Sequence, residues 1–132
     1  MTFSIIVVCL NAGERLRRTV ESIRRQTEQD YEIVIKDGIS TDETTTQFLD
    51  ALEQAGESDP RLRVYRQEKD TGIYDAMNQA VRAAEGKYLY FLNCGDRFYH
   101  EKVLEEIAGL IAAHPSEAGI YYGNIYERLT GR

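Results

Sequence analysis

Four polar segments of this 132-residue chain carry residue types that could together hold a charged, phosphate-bearing ligand. The first follows the run Tyr88-Leu89-Tyr90-Phe91-Leu92, which reads as a buried strand entering the turn Asn93-Cys94-Gly95-Asp96. Hard divalent cations take oxygen ligands and often only one or two carboxylates beside substrate phosphates. Asp96 is therefore compatible with a Mg2+ or Mn2+ diphosphate site without requiring one. The second segment, Asp37-Gly38-Ile39-Ser40-Thr41-Asp42, offers a carboxylate for a base or ribose, followed by a helix start that favours an anion. Its plainer reading is a turn at Asp37, with Ser40 and Asp42 capping. Asn11-Ala12-Gly13 is small, polar and permissive of close backbone approach. Glu68 to Asn78 is dense in polar groups for a helix entry, with Asp75 and Asn78 on one helical face; capping by Asp70 or Thr71 is the alternative.

The elements that must position these segments alternate. Phe3 to Cys9 (FSIIVVC) is rich in β-branched residues, as expected of a strand covered on both faces. Glu14 to Gln26 repeats apolar residues at Leu16, Val20 and Ile23, one stripe of a helix. Tyr31 to Lys36 is a second strand, and Glu43 to about Ala55 a second helix with Phe48, Leu49 and Leu52 inward. Leu62 to Arg66 is shorter and more polar, which predicts a sheet edge. A third helix, Gly72 to Glu85, carries the stripe Ile73, Met77, Ala80, Val81 and Ala84. After Tyr88 to Leu92, a fourth helix spans about Glu101 to Ala113, with Val103, Leu104, Ile107, Leu110 and Ile111 inward, and Ile120-Tyr121-Tyr122 starts a fifth strand. Strands alternating with helices of this length predict a single doubly wound α/β domain with a mainly parallel sheet. Polar segments at the carboxyl ends of such strands are where ligands bind.

Composition narrows the function classes. A formal net charge of −6 argues against nucleic acid held by a basic surface. The longest fully apolar run, Ile5 to Leu10, is too short to span a bilayer, and the N-terminus lacks the pattern of a secretory signal. Two cysteines do not make a disulfide framework, so a reducing, cytoplasmic setting is expected. Cys9 and Cys94, at two strand ends, are expected to be neighbours acting as small buried hydrophobes. His100 and His114 lack metal-ligand spacing. The arginines at 15, 17, 18, 24 and 25 form a largely solvated helix face, with one near the helix start able to reach an anion. There is no Gly-x-Gly-x-x-Gly after the first strand and no Walker-type loop. A phospho-receiver would need an acidic cluster where Asn11-Ala12-Gly13 stands.

Taken together, SIIVVCLNAGERLRRTVESIRRQT, YEIVIKDGISTDET, EKDTGIYDAMNQAVRAAEGKYLYFLNCGD and YYGN resemble the N-terminal half of the inverting glycosyltransferase family 2, which has the GT-A fold. The Gly-Ile-Tyr-Asp-Ala-Met-Asn and Leu-Asn-Cys-Gly-Asp segments resemble bacterial capsule and exopolysaccharide transferases of the colanic-acid type. The resemblance implies a UDP- or GDP-sugar donor and a glycan or lipid-linked acceptor, in the cytoplasm or at the inner face of the membrane. It implies a nucleotide site at Asn11, Asp37, Asp70 and Asn93, with Asp75 near the pocket. Asn93 and Asp96 fall where the family carries its Asp-x-Asp diphosphate and metal motif, here reduced to one carboxylate. Family members continue for about another hundred residues carrying the acceptor site and general base. This chain is therefore expected to supply a donor-nucleotide half, completed by self-association or a partner chain. The alternative is a nucleotide-sugar-binding module without catalysis.

Overall fold

The computed structural model describes residues 2–66 and 68–113. The expected fifth strand at Ile120-Tyr121-Tyr122, the YYGN segment and His114 lie outside the described residues. Four strands, β1 (Phe3–Cys9), β2 (Tyr31–Asp37), β3 (Leu62–Tyr65) and β4 (Tyr88–Phe91), alternate with α1 (Glu14–Arg24), α2 (Glu43–Ser58), α3 (Ile73–Ala83) and α4 (Val103–Ala113). Among the described residues the sheet is parallel throughout, in the order β3-β2-β1-β4. This is the doubly wound α/β architecture expected from the alternation, with β3 at an edge.

The register explains which residues reach the ligand end. Phe3 pairs with Tyr31 and, six residues on, Cys9 pairs with Asp37, so both strands finish side by side. Every residue of β1 and β2 is buried, as the β-branched runs require of central strands. One face of the sheet presents Phe3, Ile5, Val7, Ile33 and Ile35 to Leu16, Val20 and Ile23 of α1, Leu49 and Leu52 of α2, and Val103, Leu104 and Ile107 of α4. The other face is thinner. Ile6 and Val34 pack on Ala80 of α3, with Ala83 and Ala84 beside them, and the small side chains let the helix lie close.

Three expectations need correction. β4 is not buried on both faces: Leu89 and Phe91 are 41% and 42% exposed. They share the α3 face, but α3 lies over β1 and β2 and leaves β4 uncovered. Ile73 is 48% exposed, since Ala76 and Ala80 form the buried line of α3 one position round the helix. Leu110 is also exposed, because Val103, Leu104, Ile107 and Ile111 form the line of α4 that packs on the core and Leu110 stands to one side of it.

One buried polar network ties the far end of the sheet. Glu32 of β2 accepts from Ser4 Oγ (2.5 Å), from the Glu85 amide (2.6 Å) and from Arg63 (2.5 Å). Gly86 is needed here, because a Cβ would meet Ser4 Oγ at 2.5 Å and the Ser4 amide at 2.6 Å.

Candidate functional site

The carboxyl ends of β1 and β2 close on themselves. Asp37 is only 1% exposed, and its carboxylate accepts from the Ser40 amide (2.8 Å), from Ser40 Oγ and from Cys9 Sγ (3.4 Å). A hydrogen bond with Cys94, burial and the charge of Asp37 push the Cys9 thiol well above its ordinary pKa. It therefore stays protonated and serves as a donor. Asn11 sits in the left-handed region (φ 50°) and turns the chain back over this loop. Its amide donates to Ser40 Oγ at 2.8 Å. Its side-chain Oδ1 accepts from the Thr41 and Asp42 amides at 2.8 and 3.2 Å. Asp42 caps α2 by accepting from the Thr45 amide at 3.0 Å. Two of the predicted site residues, Asn11 and Asp37, thus stand together and build one loop. The α2 start expected to favour an anion already has acceptors of its own.

A residue overlooked in the sequence joins Asp70 to them. Lys36, 1% exposed, donates to the Asp37 carbonyl (2.7 Å), the Glu68 carbonyl (2.6 Å) and Asp70 Oδ2 (3.3 Å). A buried ammonium must be paired and hydrogen-bonded to be tolerated, and this one pins the loop after β3 against the end of β2. The signal was a lone cation closing the apolar run Ile33-Val34-Ile35 of a strand. Asp70 also accepts from the Gly72 amide at 3.2 Å, and its Oδ2 would lie 3.1 Å from a Cβ on Gly38. Asp75 accepts from the Thr71 amide at 2.9 Å, closing the start of α3.

The turn after β4 is different. Asn93 is exposed and Asp96 half-buried, and among the described residues no hydrogen bond or ion pair engages the Asp96 carboxylate. The backbone around it is held firmly from α1. Thr19, fully buried, accepts from the Gly95 amide (3.0 Å) and donates to the Asp96 carbonyl (2.7 Å). Ser22 accepts from the Phe98 amide at 3.3 Å, and Gln26 bonds His100 O at 2.7 Å and the Leu104 amide at 3.0 Å. This buried polar stripe (Thr19, Ser22, Gln26) was also missed; its i, i+3, i+7 spacing beside the apolar stripe was the available signal. Gly95 takes φ 98°, which only glycine adopts easily. Cys94 packs beside Cys9 as expected, linking this turn to Asp37.

An open carboxylate on a rigid turn fits a divalent cation that draws most of its ligands from a diphosphate and water. No group of three or more potential ligands among the described residues could form an all-protein cage. A separate cavity of about 730 Å³ opens along β3, lined by Lys36, Glu53, Tyr65, Arg66, Gln79 and Arg82 among others, and does not include Asn93 or Asp96.

Parallel topology with polar loops gathered at the carboxyl strand ends defines a doubly wound α/β fold, in which ligands bind at those ends. Known proteins agree. The pattern of Glycosyl transferase family 2 matches residues 4–131, and the chain belongs to that family. A "PGL/p-HBAD biosynthesis glycosyltransferase" of Mycobacterium bovis is 40% identical over 129 residues, covering 97% of this chain and 48% of the relative. The chain thus spans about half the length of that relative. Staphylococcus aureus TarS (residues 1–349), solved with UDP-GlcNAc, superposes with TM-score 0.72 at 22% identity, over 92% of this chain and 37% of that one. The mannosyltransferase PcManGT of Pyrobaculum calidifontis, solved with GDP-Man and Mn2+, gives TM-score 0.69 at 22% identity, over 83% and 32%.

Proposed function

We propose that this chain carries the donor site of an inverting family 2 glycosyltransferase. The observation that carries the reading is the Asp96 carboxylate, held open on a braced turn at the ligand end of a GT-A sheet. Asn11, Asp37 and Asp70 shape the nucleoside side of the pocket through the interlocked loops after β1, β2 and β3. Asn93 offers its amide to the ribose. Asp96 holds a Mg2+ or Mn2+ ion, which when bound would neutralise the leaving diphosphate. The neighbours solved with UDP-GlcNAc and with GDP-Man and Mn2+ support a nucleotide-sugar donor and a divalent ion. The acceptor is a glycan or lipid-linked glycan of bacterial surface polysaccharide. Inversion needs a base to deprotonate the acceptor hydroxyl opposite the leaving group, and that role is not assigned to any residue of this chain. The bare Leu89 and Phe91 on β4 support coverage by a further protein surface.

Titrating UDP- and GDP-sugars with and without Mn2+ into the purified protein tests the donor site. Saturable binding below millimolar concentration, tightened by Mn2+, is expected. No binding of either donor at millimolar concentration would sink the reading.

A further inference from the structure

We propose that Arg15 is a ligand of the donor diphosphate, a fixed positive charge placed between the two loops that flank the site; this rests on the donor-site reading above. Arg15 stands in the first turn of α1, immediately after the loop that leaves β1. Its Nε donates to the Ala12 carbonyl at 3.3 Å, which anchors the guanidinium to that loop. Its stem lies along the turn after β4: Arg15 Cδ is 3.4 Å from where a Cβ on Gly95 would stand. One side chain therefore spans from Ala12 to Gly95. The strand order β3-β2-β1-β4 reverses between β1 and β4, where ligands of such sheets bind.

The charge of Arg15 is uncommitted. On α1, Arg17 pairs with Glu14 at 3.2 Å, and Arg25, just past its end, pairs with Glu21 at 3.7 Å. Arg18 has no ion pair among the described residues but, unlike Arg15, makes no hydrogen bond there to the loops at the site. Arg15 has no ion pair among the described residues, and its two terminal nitrogens have no acceptor there. A guanidinium presents parallel N–H groups that match phosphate oxygens, and such charge-assisted bonds are strong. The turn offers a metal only one carboxylate, so a nearby cation would share the neutralisation of the diphosphate. Gly95 has a second role in this arrangement, since its missing side chain leaves room for the arginine stem.

The experiment compares the unaltered protein with Arg15→Gln and Arg15→Lys, using whichever of UDP and GDP binds more tightly, and its phosphate-free nucleoside as control. Arg15→Gln should weaken the diphosphate about tenfold with Mn2+ and more in EDTA, while the nucleoside binds as before. Arg15→Lys should recover part of the loss, keeping the charge without the fork. Unchanged diphosphate affinity in Arg15→Gln overturns the assignment, as does an equal loss for nucleoside and diphosphate, which would mark a structural role. If the unaltered protein binds neither UDP nor GDP, the donor-site reading itself fails. That outcome is distinct from one in which binding persists and ignores Arg15.

Discussion

The loop after β2 and the turn after β4 lie at the same end of the same sheet, yet they use their aspartates in opposite ways. Asp37 is buried, and its oxygens are taken by Ser40 and Cys9. Asp96 leaves its carboxylate unbonded among the described residues while its backbone is clamped by Thr19. A carboxylate that accepts several internal hydrogen bonds builds a frame, because removing it strands buried donors. A carboxylate held in place by its main chain alone keeps its charge available for a ligand. Asp37 ends β2 and Asp96 closes the turn after β4, and the contacts around them separate the two roles.

The largest expected effect tests this contrast directly. Asp37→Ala leaves the Ser40 amide and hydroxyl and the Cys9 thiol without their acceptor in a buried loop. It should cost about 3 kcal/mol of stability and lose nucleotide binding with or without metal. Asp96→Ala breaks no side-chain bond among the described residues. It should leave the urea midpoint within about 0.5 kcal/mol of the unaltered protein while abolishing the Mn2+-dependent part of UDP binding. Equal destabilisation by the two substitutions would erase the distinction between frame and ligand edge.

How much of this was legible in the sequence depended on where the deciding contacts lie. FSIIVVC announced a strand covered on both faces and YEIVIK a second strand, and both are buried along their whole length. The alternation with helices gave the parallel sheet, and the polar strand ends marked the ligand side. What escaped were effects of neighbours distant in sequence. Leu89 and Phe91 look like core residues, and only the path of α3 leaves them bare. Lys36, Thr19, Ser22 and Gln26 belong to types that are usually solvated, and each is buried because it finds partners 32 to 78 residues away. A pattern of types can locate a site, but it does not report whether a given carboxylate is already spent on the fold.

A second, smaller effect sets the contrast against a region far from the ligand end. Burial opposes ionisation of Glu32, but Ser4, the Glu85 amide and Arg63 together hold its carboxyl below the ordinary 4.5. Its folded pKa is thus lower than its unfolded one, so its stabilisation is complete above about pH 4.5 and fades as pH falls through the lowered value. Glu32→Gln should cost about 2 kcal/mol at pH 7, less than a fully buried pair because Arg63 is partly exposed. Stability followed by urea melts at successive pH values should then fall less steeply below pH 4.5 than in the unaltered protein. A parallel curve would place acid sensitivity elsewhere, with Asp42, held low by Thr45, as the next group to examine.

The smallest effect returns to the closed loop. Ile39 sits in the left-handed region (φ 65°), between Asp37 and Ser40, with its side chain 44% exposed. A β-branched residue there is strained by about 1–2 kcal/mol, and the closed bonding of its neighbours holds it in place. Ile39→Gly removes the strain but returns roughly 0.5–1 kcal/mol of chain entropy to the unfolded state. The net should be a gain of about 0.5 kcal/mol, read as a higher urea midpoint at unchanged slope. If the loop is purely a frame, UDP affinity stays within about twofold. A tenfold weakening alongside the gain in stability would instead show strain retained for ligand contact, and the boundary between frame and binding surface would then run through the loop itself.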